Sequence, residues 1–191
     1  DIDESPWHIE KETSVMNEAK RRLLARGDIK MFTVPFPKAR EVTHCLRDVL
    51  EPVVADHYYI SKKKLTQFVS TDVPKRKTRD LKQIGYIDKN AQGNRVYSVD
   101  GVSPTVSSQT GGLGGSGGGV FAMNEPEGDI ATWSIRKLTP TECFRLQGFP
   151  DSYISQLREI GISDRQLYKM AGNAVTTRVI EHLFKTVKPY I

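Results

Sequence analysis

The sequence predicts an α+β protein in which a small, mostly antiparallel β-sheet precedes a helical C-terminal segment. Short apolar or alternating runs, separated by turn residues, occupy residues 83–137 and are typical of strands. After residue 137, apolar positions recur at helical spacing between clear capping signals. A chain of 191 residues, 38% of them hydrophobic, can bury one core or form a small domain with an appendage.

The first third of the chain predicts only short elements. Residues 1–30 are polar and charged, with a weak helical pattern at Val15–Leu24. The stretch MFTVPFP (31–37) indicates an extended segment, because two prolines interrupt it. The apolar residues of 43–51 share one face of a short helix, and Ser61 can cap a second short helix.

The middle of the chain changes to strand patterns. Asp100-Gly101 indicates a turn, and Pro104 indicates an edge strand or a bulge. Since strand patterns lie on both sides of the glycine block 111–119, this block is predicted to be the tip of a hairpin. The predicted strands lie within QIGYI (83–87), NRVYSV (94–99), VSPTVSS (102–108), VFAM (120–123) and ATWSIRKL (131–138).

The helical end has well-marked boundaries. Thr139–Glu142 is a capping box with proline at the first helical position, and the helix is predicted to end at Gly148. Ser163–Gln166 is a second capping box, and its helix is predicted to end at Gly172. A last helix is predicted from about residue 176 to residue 185.

The charge of the chain permits a polyanionic partner. The net charge is +5 and the pI is about 9.2. Seven basic residues against two acidic ones lie between Pro74 and Arg95. The stretch Lys75–Lys82 is therefore a candidate for contact with a nucleic-acid backbone, and a solvated loop is the alternative.

Several classes of protein are not indicated. Cys45 and Cys143 are far apart in apolar helical patterns, which predicts buried free thiols instead of a disulfide framework or a zinc cluster. No apolar run approaches 18 residues and no signal peptide is recognisable, so we expect a soluble cytoplasmic protein. The first residue is Asp1, as expected of a fragment or a processed chain. The histidines share no spacing and none is predicted to be catalytic or metal-binding: His8, His44, His57 and His182.

The glycine block GGLGGSGGG (111–119) has two interpretations. Seven of its nine residues are glycine, which allows a flexible linker. A loop whose backbone approaches a sugar-phosphate chain or a base edge is the alternative. It is not a nucleotide phosphate-binding loop, because no Gly-Lys-Ser/Thr follows to open a helix.

Two C-terminal stretches resemble a known enzyme family. RKLTPTECFRLQGFPDSY (136–153) resembles motif IX of the DNA (cytosine-5) methyltransferases, and QLYKMAGNAVTTRVI (166–180) resembles their motif X. The stretch from QIGYI to GGGVF (83–121) is similar to the target recognition domain of bacterial restriction-system enzymes that read GCGC. The resemblance covers about residues 32–191. It implies that the last helices complete a Rossmann-like methyltransferase domain.

The resemblance also identifies what this sequence lacks. The Pro-Cys dipeptide of the nucleophile, the Glu-Asn-Val motif and the FxGxG loop do not occur, and the Gln-Arg-x-Arg stretch is not recognisable. The chain is therefore expected to be a C-terminal portion, either the beta subunit of a split enzyme or part of a longer polypeptide. The implied domains are a connector (1–37), a target recognition domain (38–137) and a helical segment (138–191).

The resemblance assigns DNA-contacting roles to residues of two loops. Gln92 matches the glutamine that fills the space left by the flipped cytosine, and Gly93 lets the backbone pass close. Arg95 matches an arginine that reads a guanine edge, whereas Asn94 replaces an acidic residue, so the GCGC specificity does not transfer. The other implied positions are Thr105 and Ser107 near phosphates, and Gln109, Thr110, Gly111 and Gly112 at the start of the second recognition loop.

The same resemblance implies roles for motifs IX and X. Arg136 and Lys137 would connect the recognition domain to its neighbours and lie near the DNA. Asn173 and Ala174 would lie beside the methionine end of S-adenosylmethionine, with a helix C-cap as the alternative role of Asn173. Ala174 replaces a serine found in some members, so only its backbone remains for that contact.

The implied function is the DNA-recognition and cofactor-completing part of an enzyme that methylates carbon 5 of a flipped cytosine. Its expected partners are double-stranded DNA, S-adenosylmethionine and a catalytic portion that carries the nucleophile. No catalytic residue is expected in this chain, which is not expected to be active alone. A non-catalytic, sequence-specific DNA-binding module is the alternative.

Overall fold

The computed structural model describes residues 15–27, 43–70, 81–108, 121–124 and 134–188. These residues belong to two compact units. One contains residues 15–27 and 182–188, and the other contains the described residues between 43 and 181. The predicted domain boundary at residue 137 remains a prediction. Among the described residues, no helix is long and apolar enough to span a bilayer.

The predicted helix near the start of the chain is present. Helix α1 covers Val15–Leu24 and ends before Gly27, whose φ of +60° suits glycine. Arg22 pairs with Glu18 one turn earlier, with both side chains largely exposed. Such an exposed pair contributes little to stability.

A five-stranded sheet forms the centre of the larger unit. Three neighbouring pairs are antiparallel and one, β3 with β4, is parallel, so the predicted mostly antiparallel sheet is confirmed. The spatial order follows the chain order. The strands are β1 (Phe68–Ser70), β2 (Gln83–Ile87), β3 (Arg95–Ser98), β4 (Phe121–Asn124) and β5 (Ser134–Lys137).

The predicted strand at 102–108 and the hairpin built on it are wrong. Residues 102–107 form no strand, and β3 runs parallel to β4. A parallel pair needs a crossover instead of a tight turn. The alternation in this stretch therefore reflects burial of Val106 in an irregular segment. The glycine block 111–119 itself lies outside the described residues.

The shorter helices are close to their predicted positions. A 3₁₀ helix covers Leu46–Val49 within the predicted helix at 43–51. A second 3₁₀ helix, Asp56–Tyr58, was not predicted. Helix α2 covers Lys62–Leu65 after Ser61, although the Ser61 side chain makes no capping hydrogen bond.

The C-terminal helices begin where the capping signals predict. Both capping boxes are formed, at Thr139 with Glu142 and at Ser163 with Gln166. Gly148 follows the first of these helices with a φ of +83°, as its predicted stop requires. The helices are α3 (Pro140–Leu146), α4 (Asp151–Glu159), α5 (Asp164–Asn173) and α6 (Thr177–Val187).

Helix α5 continues through its predicted stop. Gly172 lies within the helix, which ends at Asn173 with Ala174 as the C-cap. The backbone N–H of Ala174 donates to the carbonyl of Met170 at 3.0 Å. Asn173 is thus the last helical residue and not the cap.

The two faces of the sheet contact two different cores. Tyr97 packs with α3, α4 and α5 in the larger core, whereas Val96 packs with Ile87 and Ile135 in the smaller one. This alternation has the period of two that a strand imposes. Both faces are covered, so β3 is buried from Val96 to Ser98. The larger core contains Leu46, Tyr97, Val99, Val106, Leu138, Cys143, Phe144, Ile154, Leu167, Tyr168 and Ala171.

Candidate functional site

The first predicted recognition loop is a single 3₁₀ turn between two strands. Gln92–Asn94 form this turn, and the N–H of Asn94 donates to the carbonyl of Ala91 at 2.9 Å. Gly93 and Asn94 are half-buried, and the side chain of Gln92 is not among those described. The turn is closed by its own backbone, so its side chains are not needed to hold it.

Arg95 begins β3 directly after this turn and is half-buried. Its Nε donates to the Asn90 Oδ1 at 3.1 Å, which fixes the direction of the guanidinium. Within the described part of the chain, its two Nη groups make no hydrogen bond. A guanidinium that is held at Nε, with both Nη groups open, can donate to an acceptor with two oxygen or nitrogen atoms.

Several predicted DNA-contacting segments meet at one end of the sheet. The parallel strands β3 and β4 both begin there, and β5 ends there, because Val96 pairs with Phe121 and Phe121 pairs with Lys137. The 92–94 turn, the first residue of β4, Phe121, and Lys137 therefore share this end. We call it the recognition end of the sheet.

Other predicted contacts are only partly within the described residues. Thr105 is exposed and Ser107 is half-buried, both in the irregular segment that follows β3. Gln109, Thr110, Gly111 and Gly112 lie outside the described residues, as do residues 75–80 of the basic stretch Lys75–Lys82. Their predicted roles are neither supported nor opposed by the geometry.

Arg136 forms a buried ion pair with Glu142. Its Nη1 donates to the Glu142 Oε2 at 2.8 Å, and its Nη2 donates to the Glu142 Oε1 at 2.7 Å. Burial lowers the pKa of Arg136, but the hydrogen bond and the charge of Glu142 raise it more. The pair joins β5 to α3, and the Arg136 side chain is 8% exposed.

Glu142 is the centre of a larger buried network. Besides Arg136, it accepts from the backbone N–H of Glu51 at 2.7 Å and of Thr139 at 2.8 Å. The Thr139 hydroxyl also bonds the Glu51 carboxylate. A carboxylate with this many donors is well compensated for its burial. The capping box revealed Glu142 in the sequence, but no local pattern revealed Glu51 or the ion pair.

A cleft of about 650 Å³ lies between the irregular segment and the two motifs. Thr105 lines one side, Arg145 and Gln147 at the end of α3 line another, and Ala174 and Thr176 line a third. Its size is within the range of small-molecule sites. Of the two residues assigned to the cofactor, Ala174 lines the cleft, whereas Asn173 is exposed beside it.

Gln147 holds the turn that carries Ala174. Its Nε2 donates to the Ala171 carbonyl at 3.0 Å, and its Oε1 accepts from the Thr176 hydroxyl at 2.8 Å. Its own carbonyl accepts from the Thr177 N–H at 2.9 Å. Gln147 is buried, so these bonds replace water. The sequence showed it only as a residue at a helix end, a position with no signal for this role.

Gly172 allows a close approach between α5 and the recognition segment. A Cβ on Gly172 would overlap the backbone of Ser107 and Ser108. Backbone atoms cannot rotate away as a side chain can, so the position requires glycine. The cofactor-side turn and the approach to the glycine block are therefore in direct contact.

Cys143 is not placed as a nucleophile. Cys143 is 1% exposed, and burial together with the charge of Glu142 raises the pKa of its thiol to about 12. A thiol with this pKa is not ionised at neutral pH. Cys45 is free and half-buried in the lining of the cleft, which is more exposure than predicted.

Comparison with known proteins identifies the family. Residues 12–189 match the family model described as C-5 cytosine-specific DNA methylase. The chain belongs to this family. Its members use S-adenosylmethionine as the methyl donor.

Named relatives agree with this assignment. The orphan methyltransferase M.SPBetaI of Bacillus phage SPbeta is 29% identical over 227 residues, which cover 96% of this chain and 51% of the relative. The type II methyltransferase M.HhaI of Haemophilus parahaemolyticus is 31% identical over 172 residues, which cover 86% of this chain and 48% of the relative. The chain thus spans about half the length of these relatives.

A solved structure supports the fold. The S. pombe Dnmt2 methyltransferase aligns with a TM-score of 0.55 at 16% identity, over 80% of this chain and 44% of that chain. The predicted α+β fold class, with helices that complete a Rossmann-like methyltransferase domain, is confirmed by this likeness.

Proposed function

We propose that this chain is the DNA-recognition and cofactor-completing part of a DNA (cytosine-5) methyltransferase of a restriction–modification system. The enzyme would methylate a flipped cytosine within a short, specific duplex site. The observation that carries the proposal is the cleft, because Thr105 from the recognition segment and Ala174 from motif X line the same space. A cleft shared in this way suits a protein that brings DNA and a cofactor together.

The recognition end of the sheet would read the DNA. Gln92 would fill the space of the flipped cytosine, since an amide offers a donor and an acceptor to the orphaned guanine. The open Nη groups of Arg95 would contact a guanine edge. The backbone from Gln109 to Gly112 would enter the groove as a second loop, with Thr105 and Ser107 near phosphates.

The turn after α5 would contribute one wall of the S-adenosylmethionine site. The backbone of Ala174 lines the cleft, and the exposed amide of Asn173 lies beside it, so both fit a polar ligand with charged ends. S-adenosylmethionine supplies the methyl group. Gln147 would keep this wall in place, since it holds the turn on both sides of Ala174.

A catalytic portion would supply the nucleophile and the rest of the cofactor site. Helix α6 exposes a row of large apolar side chains, as expected of a surface that another part of the enzyme covers. These residues are Val179, Ile180, Leu183 and Phe184. That portion would be either a separate catalytic subunit or a segment of the same polypeptide.

A non-catalytic DNA-binding module is the second candidate. It is favoured by the lack of a Pro-Cys dipeptide in these 191 residues and by the burial of Cys143. A stable, monomeric chain that binds DNA tightly without a partner would support it. The exposed apolar row on α6 argues against it, because that row would then remain in water.

The deciding experiment measures transfer of labelled methyl from S-adenosylmethionine to duplex DNA. The chain is assayed alone and then with the catalytic portion, obtained as the polypeptide encoded next to it. Activity only in the mixture would support the proposal. DNA binding without activity in either assay would favour the non-catalytic module, and activity of the chain alone would contradict the proposed need for a second portion.

A further inference from the structure

Lys137 lies at the recognition end of the sheet and faces the smaller core. It pairs with Phe121, which pairs with Val96, and residues directly opposite each other share a face. Val96 belongs to the cluster with Ile87 and Ile135, so Lys137 continues that face at its end. Lys137 is half-buried.

Helix α2 brings Lys64 to the same face. The chain before α2 runs along the outer edge of β5, where the Ile60 N–H donates to the Ile135 carbonyl at 3.0 Å. Leu65 then packs against the smaller core, and the adjacent Lys64 is half-buried. Burial lowers the pKa of Lys137, and the positive charge of Lys64 lowers it further.

No carboxylate offsets these two charges among the described residues. Three arginines of the same unit differ, since Arg136, Arg145 and Arg158 each pair with an Asp or Glu. Within the described ranges neither Lys64 nor Lys137 forms an ion pair. Two half-buried cations that repel each other are stabilised when an anion binds between them.

We propose that Lys64 and Lys137 together bind a phosphate of the DNA backbone beside the recognition turn Gln92–Asn94. The inference rests on the proposed function. It adds a contact that the basic stretch Lys75–Lys82 does not include and that comes from a different part of the fold. The pair would position the duplex at the recognition end of the sheet and would not discriminate between base sequences.

The test measures binding of the full chain to a labelled duplex of mixed sequence over a range of salt concentrations. The variants are Lys64→Gln, Lys137→Gln and the double variant, with Lys137→Arg as the charge-preserving control. Lys169→Gln, an exposed lysine on α5 that forms no ion pair with another described residue, is the matched control. Thermal unfolding of each variant confirms that it is folded.

Loss of one phosphate contact reduces the slope of log K against log salt by about 0.9. We expect this reduction, with a several-fold loss of affinity, for Lys137→Gln and for the double variant, and no change for Lys137→Arg or Lys169→Gln. An unchanged slope in the double variant overturns the phosphate site while leaving the proposed function intact. Wild-type chain that binds no duplex at low salt, either alone or together with the catalytic portion, overturns the proposed function itself.

Discussion

The helical region after residue 138 and the recognition end of the sheet are held in different ways. In the helical region, buried polar side chains such as Glu142 and Gln147 each satisfy several partners. At the recognition end, the Arg95 side chain makes one hydrogen bond. The Lys137 side chain forms no ion pair with any described residue. In the helical region the polar groups stabilise the fold, whereas at the recognition end they remain open for a ligand.

This difference gives opposite expectations for the same kind of substitution. Removing a polar group from the helical region should lower stability, because its partners remain buried without compensation. Removing one from the recognition end should leave stability unchanged and weaken binding.

Glu142→Gln should cause the largest loss of stability. It removes the carboxylate charge that is hydrogen-bonded to the buried Arg136, and breaking one side of such a pair costs about 3–5 kcal/mol. Urea denaturation gives the free energy of unfolding. Replacing both members by apolar residues, as in Arg136→Met with Glu142→Leu, should cost less than Glu142→Gln alone. Equal losses in the single and double variants would contradict this account of the pair.

Arg95→Ala should weaken specific DNA binding by about 1–3 kcal/mol and relax discrimination at one base. Its stability should be unchanged, because Arg95 makes one described hydrogen bond, to Asn90. Selection from randomised duplexes followed by competition binding measures both quantities. An equal loss of affinity for every DNA sequence would contradict the proposal that Arg95 reads a base.

Gly172→Ala should destabilise the protein although alanine is the better helix former. The propensity gain is about 1 kcal/mol, and overlap with the backbone of Ser107 and Ser108 should exceed it by about 1–2 kcal/mol. Lys169→Ala in the same helix is the control, since it adds no contact. Faster amide exchange at residues 106–108 in Gly172→Ala would locate the effect. A stabilised variant would show that the contact is loose.

Replacing Tyr58 by Phe should have the smallest effect on stability, and this effect should be detectable only at alkaline pH. The Tyr58 hydroxyl donates to the Asp164 Oδ2 at 2.6 Å, and burial, helped by that bond and by the charge of Asp164, raises its pKa to about 12 from 10.0. Stability linked to this group is complete below pH 10 and is lost as the pH rises toward 12. Urea midpoints between pH 9 and pH 12 should therefore fall less steeply for Tyr58→Phe.

Much of the fold followed from local sequence. Both capping boxes, the stop at Gly148 and the strands β2 and β3 are present where their patterns predicted them. Local patterns succeed here because a cap or an alternation involves neighbours in the chain. The family also followed from sequence, since motifs IX and X are each continuous stretches.

The tertiary structure alone decided the parallel pairing of β3 with β4, the partners of Glu142 and the contact between Gly172 and the recognition segment. Each joins residues that are far apart in the chain or belong to different elements, so no local periodicity encodes it. The strand prediction at 102–108 failed for the same reason, because burial of Val106 by distant helices imitates a strand pattern. Sequence determines which groups are present and how each short stretch folds. Which buried charge meets which partner is decided only when the sheet and the helices pack together.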